Sequence, residues 1–312
     1  MQRSSLKFNG ALIALYAVVF LPIPVFADVG PGLMGYWKLD EAASGCTGYV
    51  REDATSTNDL TDNNTTCSNS GIIEKGADFE LGNVEWLSIT DAAQTGLDIT
   101  GDITINAWVK LEAEVGAGSS YGIACKMGSY PANRSYCFLL SESAGEKLGS
   151  YIGDGSTQEY DSVAWSRDSG VWYMLTMTAD PGNQVCYYVN GVLQGACQTL
   201  TVSSIVNGNG VFGIGSTAYS GTGEFDGVID EVGVWNRVLT TDEITDLYNS
   251  GSAWAYPFTV ESPDDGMATT SITIGEIYSV FTLGSFGTIF FIAFIMTIFL
   301  NIGKATMNLV RP

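Results

Sequence analysis

The sequence predicts an all-β, antiparallel sandwich held between two apolar chain ends, and three observations carry that expectation. Short segments alternate apolar and polar residues with a period of two. Gly, Asn, Asp and Ser punctuate them. No helical segments alternate with the strands, as a parallel sheet would require.

Taken in order, residues 1–27 read as a secretory leader. Arg3 and Lys7 supply its positive start, Ala11 to Phe26 its apolar stretch, and Val25-Phe26-Ala27 a small-residue cleavage pattern. Pro22 and Pro24 argue against a long spanning helix there. Strands are expected at Gly35–Leu39, Val84–Ile89 and Ile103–Val109, the last with Ile103, Ile105, Ala107 and Val109 on one face. Ile123–Lys126 and Tyr136–Leu140 suit a hairpin, and Trp172–Thr178 another strand. Val185–Gln194 turns at Asn190-Gly191, a pair that accepts the positive φ angles of a type I′ turn. Val211–Gly215 and Val228–Trp235 close the set, about ten to twelve strands in all. One short C-terminal helix follows. Thr240 and Glu243 form a capping box, Ile244, Leu247 and Tyr248 an apolar stripe, and Gly251 a stop.

The remaining chain reads as an anchor. Residues 256–276, with Pro257, Pro263, Asp264, Asp265 and Gly266, form a stalk. Ile277 to Gly303 carries no charge and is long enough to span a bilayer. Glu276 precedes it and Lys304 and Arg311 follow, so the tail 304–312 is expected on the cytoplasmic side. Residues 28–255 would then be the exported sandwich. Gly284 and Gly287 are three apart, which does not support a small-xxx-small dimer motif.

Charge and composition exclude several functions. The chain has 13 basic and 34 acidic residues and a net charge of −21. Arg3, Lys7, Lys304 and Arg311 lie in the ends, so the middle is more acidic still, and it would repel nucleic acid. Carboxylates suit a hard divalent cation, or simply keep a surface domain soluble. The chain contains no His, which removes Ser-His-Asp and Cys-His catalysis and His-ligated zinc.

Six cysteines all lie in the exported part and point to an oxidising compartment. Six allow fifteen pairings. Spacing favours neighbours: Cys46–Cys67, Cys125–Cys137 and Cys186–Cys197. Glycosylation sequons occur at Asn63-Asn64-Thr65-Thr66 and at Asn133-Arg134-Ser135.

Several blocks, in order, resemble a known family. Gly35-Tyr36-Trp37-Lys38-Leu39-Asp40-Glu41, with Asp53 and Asn58 behind it, resembles the opening strand of laminin G-like jelly-roll domains of the concanavalin A-like superfamily. Gly76-Ala77-Asp78-Phe79, Trp86–Ile89, Ile103–Lys110 and Val185–Leu193 are similar to successive blocks of it. Phe225 to Leu239, with the capped helix behind, is the most specific part. The resemblance implies two stacked, curved antiparallel sheets, with ligand at a rim or concave face and often with bound calcium.

Three site expectations follow. Asp40, Asp53, Asp230 and Glu231 come from the opening and closing segments and are candidate calcium ligands; for Asp230 and Glu231 this competes with capping loops or pairing with Arg237. Tyr151, Tyr160 and Trp165 lie in the polar, Gly-rich stretch Gly149–Gly170 and are candidate stacking residues for a ligand; strand aromatics such as Trp37, Trp108 and Trp235 belong to the core. Glycoside hydrolysis needs two carboxylates about 5–9 Å apart. The nearest approach to the sandwich hydrolases' strand motif is Glu224-Phe225-Asp226, in the closing segment. The sequence is therefore read as a membrane-anchored extracellular recognition or adhesion module without catalysis, binding a glycan or another extracellular protein. The alternatives are a tethered glycan-active hydrolase and a structural envelope component.

Overall fold

The computed structural model describes residues 27–41, 50–55, 57–68, 70–113, 116, 118–142, 144–217, 223–254 and 256–258. Most of the leader, Cys46, the stalk beyond residue 258, the apolar segment 277–303 and the tail lie outside the described residues, as does the Cys46–Cys67 pairing. Among the described residues no helix is long and apolar enough to cross a membrane.

The first strand is β1 (Leu33–Trp37), followed by the short β2 (Val50–Arg51), β3 (Leu60–Asn63) and β4 (Thr66–Ser68). Then come β5 (Gly76–Phe79), β6 (Trp86–Ile89) and the long β7 (Ile103–Leu111). Four antiparallel neighbours follow, β8 (Ser120–Met127), β9 (Arg134–Ser141), β10 (Lys147–Gly153) and β11 (Gln158–Ala164). The chain continues through β12 (Trp172–Asp180), β13 (Gln184–Val189), β14 (Val192–Leu193), β15 (Gln198–Thr199), β16 (Val211–Ile214) and β17 (Gly227–Trp235). Helix α1 (Thr241–Tyr248) closes the fold.

The strands form two antiparallel sheets. One has nine strands, ordered β14-β13-β12-β7-β17-β5-β4, with β1 also on β17 and β15 on β13. The other has eight, ordered β11-β10-β9-β8-β16-β6-β3-β2. The period of two explains how they stack. Ile103, Ile105, Ala107 and Val109 of β7 face inward as the sequence predicts, and meet Phe138, Leu140 and Phe212 from the other sheet in one core. Trp37 lies in this core, stacked on Phe212 at 5.1 Å.

The outer face of the nine-stranded sheet is also covered. Ile244 and Leu247 of α1 pack on Trp108, Met174 and Trp235 there. Thr240 and Glu243 make the expected reciprocal cap, and Arg237 grips Glu243 with two hydrogen bonds of 2.8 and 2.6 Å. The helix ends at Asn249, whose φ of 44° makes it the left-handed cap, ahead of Gly251. Asn190 and Gly191 both take positive φ, at 51° and 79°, as a type I′ turn requires. The disulfides Cys125–Cys137 and Cys186–Cys197 are present.

Two expectations change. More strands form than the pattern suggests, because β2, β4, β14 and β15 have two or three residues and are too short to show alternation. The stretch Gly149–Gly170 is largely strand: most of β10 and all of β11 lie in it, paired from Gly149↔Ser162 to Gly153↔Gln158.

Candidate functional site

The eight-stranded sheet turns Leu87, Tyr121, Phe138, Leu148 and Val163 inward. Alternation therefore turns Trp86 and Ser88 of β6, Val211 and Gly213 of β16, Cys125 and Met127 of β8, and Cys137 and Leu139 of β9 outward. On β10 and β11 the outward residues are Lys147, Gly149, Tyr151 and Gly153, then Gln158, Tyr160, Ser162 and Ala164. None of these is a carboxylate, in a chain with 34 of them. One row crosses the face in register: Tyr160, Tyr151, Cys137, Cys125, Gly213 and Ser88. Tyr151 and Tyr160 pack with ring centroids 4.9 Å apart, and the Cys125–Cys137 disulfide lies beside them.

Glycine shapes this face. A Cβ at Gly149 would meet the Tyr160 hydroxyl at 3.1 Å, and one at Gly213 would meet the Trp86 ring at 3.4 Å. Their absence lets both rings lie close to the sheet. Trp86, Cys125, Met127, Val211 and Gly213 line a shallow depression, with Ser216 and Thr217 at its edge. The Tyr160 hydroxyl oxygen is buried and has no hydrogen-bond partner among the described residues. Burial, and then Tyr160, push the Tyr151 phenol above its usual range.

The second cluster lies on the nine-stranded sheet. β5 pairs with β17 at Gly227–Ile229, and β1 pairs with it from Val232 to Trp235. Between these pairings β17 bulges at Asp230 and Glu231, and Glu231 takes a φ of 49°. Asp230 accepts from the N–H groups of Ile72 at 2.8 Å, Ile73 at 3.2 Å and Glu231 at 2.9 Å. Asp40 accepts from Lys75 N–H at 3.0 Å. Glu231 accepts from the Tyr36 hydroxyl through Oε2, while its Oε1 is buried with no partner among the described residues. The residue is only 2% exposed.

Electrostatics join these groups. Burial chiefly, then the charges of Glu231 and Asp40, hold the Asp230 carboxyl well above its usual range. Burial pushes Glu231 up to about 7, with Asp40 and Glu74 adding to it and Lys38 opposing. Asp40 is raised by burial and by Glu74. Among the described residues, the three carboxylates whose oxygens all lie within 4.8 Å of one another are Asp78, Glu80 and Glu112; Asp40, Asp230 and Glu231 act on one another through their charges.

The profile of the concanavalin A-like lectin/glucanases superfamily matches residues 81–245, more than half of the chain. This chain belongs to that superfamily. Among solved structures it is similar to the binding domain of Paraclostridial Mosquitocidal Protein 1, at 15% identity and a TM-score of 0.54, over 70% of this chain and 52% of that one. The binding domain of botulinum neurotoxin DC, in complex with SialylT, matches at 11% identity and a TM-score of 0.51, over 70% and 52%. Domain 4 of AbnA, an extracellular GH43 arabinanase from Geobacillus stearothermophilus, in complex with arabinotriose, matches at 20% identity and a TM-score of 0.49, over 69% and 97%. The chain thus matches about half the length of the two toxin domains, and the likeness to those two shows the shared fold. No curated protein matches it.

Within this concanavalin A-like domain the candidate residues part company. Tyr151 and Tyr160 stand together as half-buried strand residues. Trp165 does not join them. It is 8% exposed, packs edge-on against Tyr173 at 5.0 Å and belongs to the core, because it follows β11 at inward parity with Val163. The charges of Asp40, Asp230 and Glu231 act on one another, but Asp53 serves elsewhere. Its carboxylate accepts from Tyr36 N–H at 2.8 Å, Thr55 N–H at 2.9 Å, Thr55 Oγ1 at 2.6 Å and Asn58 N–H at 3.0 Å, which ties the following loop to β1. Glu224 and Asp226 accept from the N–H groups of Gly82 and Leu81, and Phe225 between them lies in the core. Sequence reasoning missed Tyr36 and Glu74 as neighbours of the carboxylates; Tyr36 sits in the opening motif, and the parity of Trp37 already placed it outward.

Proposed function

We propose that this is a glycan-recognition module whose binding face is the outer surface of the eight-stranded sheet. The observation that carries the proposal is the composition of that face: no carboxylate stands at its outward strand positions, while Trp86, Tyr151 and Tyr160 do. Sugar rings present apolar C–H faces to aromatic rings, and Trp86, Tyr151 and Tyr160 offer such rings on this face. The SialylT complex of the neurotoxin binding domain is compatible with a glycan partner on this fold. We further propose that the domain is exported and tethered through residues 277–303, and that calcium fastens the fold.

A glycan array with the folded domain, followed by calorimetry on the best ligand, tests the reading. Truncating a stacking side chain at the centre of an interface costs more than about 1 kcal/mol, so Tyr151→Ala and Trp86→Ala should each weaken binding by roughly ten-fold. Unchanged affinity in both variants would rule this face out. Release of reducing ends from the bound glycan would instead favour a hydrolase.

A further inference from the structure

Arg134 stands apart from the other described arginines. Arg51 pairs with Glu41 and Asp62, Arg167 with Glu142, and Arg237 with Glu243. Among the described residues no carboxylate pairs with Arg134, although acidic residues outnumber basic ones by 34 to 13. Its Nη1 donates to Gln158 Oε1 at 3.2 Å, and its guanidinium carbon lies 5.5 Å from the Tyr130 ring centroid. Its Nε is buried, and neither Nε nor Nη2 has a partner among the described residues. A bulge places it on the outer face. β8 and β9 pair Lys126 with Tyr136 but Met127 with Arg134, so Ser135 is an extra residue on β9. Tyr136 points into the core and Met127 away from it, and the bulge turns Arg134 to the side of Met127. There the charge of Arg134 acts on the Tyr151 phenol, opposing the rise caused by burial and Tyr160. Tyr130, in the connection from β8 to β9, is 63% exposed. Asp154, in the turn between β10 and β11, gives its Oδ1 to the N–H groups of Ser156 and Thr157 at 2.8 and 2.7 Å.

We propose that Arg134 makes the outer face select glycans that carry a carboxylate, with the sugar acid on Arg134 and the adjoining sugar ring on Tyr151. The inference rests on the reading of this face given above, and adds the charge of the ligand to it. A guanidinium is always ionised and presents its donors in a planar fork that matches the two oxygens of a carboxylate. Gln158 takes one Nη1 hydrogen, which leaves the other and both of Nη2 for a ligand. Gln158 and the Tyr130 ring hold the group in place, so little freedom is lost when an acid binds. A neutral sugar would reach the same rings without pairing the guanidinium. The net charge of −21 opposes an acid at long range, but the screening length is about 8 Å at 0.15 M salt. Contact with Arg134 therefore decides the outcome, on a face whose outward strand positions hold no carboxylate to compete.

The full chain in detergent is applied to an array of neutral, sulfated, uronic-acid and sialic-acid oligosaccharides, with each carboxylated one printed also in carboxyl-reduced form. Calorimetry then compares the best carboxylated member with its reduced form. The acid should bind roughly ten-fold more tightly, as one charge-assisted hydrogen bond implies. Arg134→Gln should erase that ratio while changing affinity for the reduced form by about two-fold or less. Arg134→Lys keeps the charge and should retain part of the ratio. Lys147→Gln, four residues from Tyr151 and roughly 13 Å away along β10, should retain all of it. Equal binding of the acid and its reduced form, weakened in Tyr151→Ala and Trp86→Ala, would overturn the carboxylate preference and leave the face standing. Binding indifferent to Tyr151→Ala and Trp86→Ala, or no binding to any glycan, would overturn both. A ratio that survives Arg134→Gln or vanishes in Lys147→Gln would overturn the role of Arg134, and a sulfated glycan preferred over every carboxylated one would overturn the carboxylate. If Arg134→Gln alters the circular dichroism, the Arg134 Nε–H resonance of the wild type decides: a shift with the acid but not with its reduced form supports the assignment, and no shift overturns it.

Discussion

Asp78 illustrates what a single carboxylate contributes to an acidic sandwich. It faces outward from β5, its Oδ1 is buried without a partner among the described residues, and carboxylate oxygens of Asp78, Glu80 and Glu112 lie within 4.8 Å of one another. Burial first, then Glu112, Glu80 and Glu85, push its carboxyl up to about 6, with Lys110 opposing. The folded state therefore holds this proton more tightly than the unfolded chain does. Stability contributed by the protonated form is fully present below the unfolded pKa and is lost as pH rises through about 6. Asp78→Asn should accordingly stabilise the domain by about 1 kcal/mol at about pH 7.5, after allowance for solvent screening, and by little at about pH 4. Thermal melts of both proteins in chelator, across that range, check it; an equal effect at both ends would mean that the group is not titrating with folding.

At the scale of elements, α1 is the part whose local chemistry the sequence states most completely. Thr240 accepts from Glu243 N–H at 3.2 Å, and Glu243 accepts from Thr240 N–H at 2.7 Å. Thr240→Ala should cost about 1 kcal/mol, read by denaturant unfolding, with Glu243 still held by Arg237. Strands show a harder limit. β7 was legible because its residues alternate, β17 because its segment carries the most specific part of the resemblance, and the Asn190-Gly191 turn because its backbone demands those residues. β10 and β11 were hidden by their glycines: Gly149 removes the apolar signal where the Tyr160 ring lies close, and Gly153 where the Arg134 carbonyl approaches. The carboxylate cluster was half legible for a related reason. Asp40, Asp230 and Glu231 are brought within reach of one another's charge by strand pairing, which the motif order implies, whereas the duty of Asp53 depends on which N–H groups its loop presents.

Across the whole molecule, the long-range consequence of composition is self-repulsion. The chain carries a net charge of −21, yet the outward strand positions of its eight-stranded sheet hold no carboxylate, so the negative charge is concentrated elsewhere. Raising NaCl shortens the screening length from about 30 Å at 0.01 M to about 8 Å at 0.15 M. Relief of about 1 kcal/mol would raise the melting midpoint by roughly 2–4 °C for a chain of this size. That rise should appear at about pH 7.5 and shrink at about pH 4, where most carboxylates are protonated. CaCl2 at matched ionic strength should add a further rise, because a bound ion stabilises the folded state by mass action. A midpoint indifferent to NaCl at neutral pH would show that the acidic residues are compensated locally.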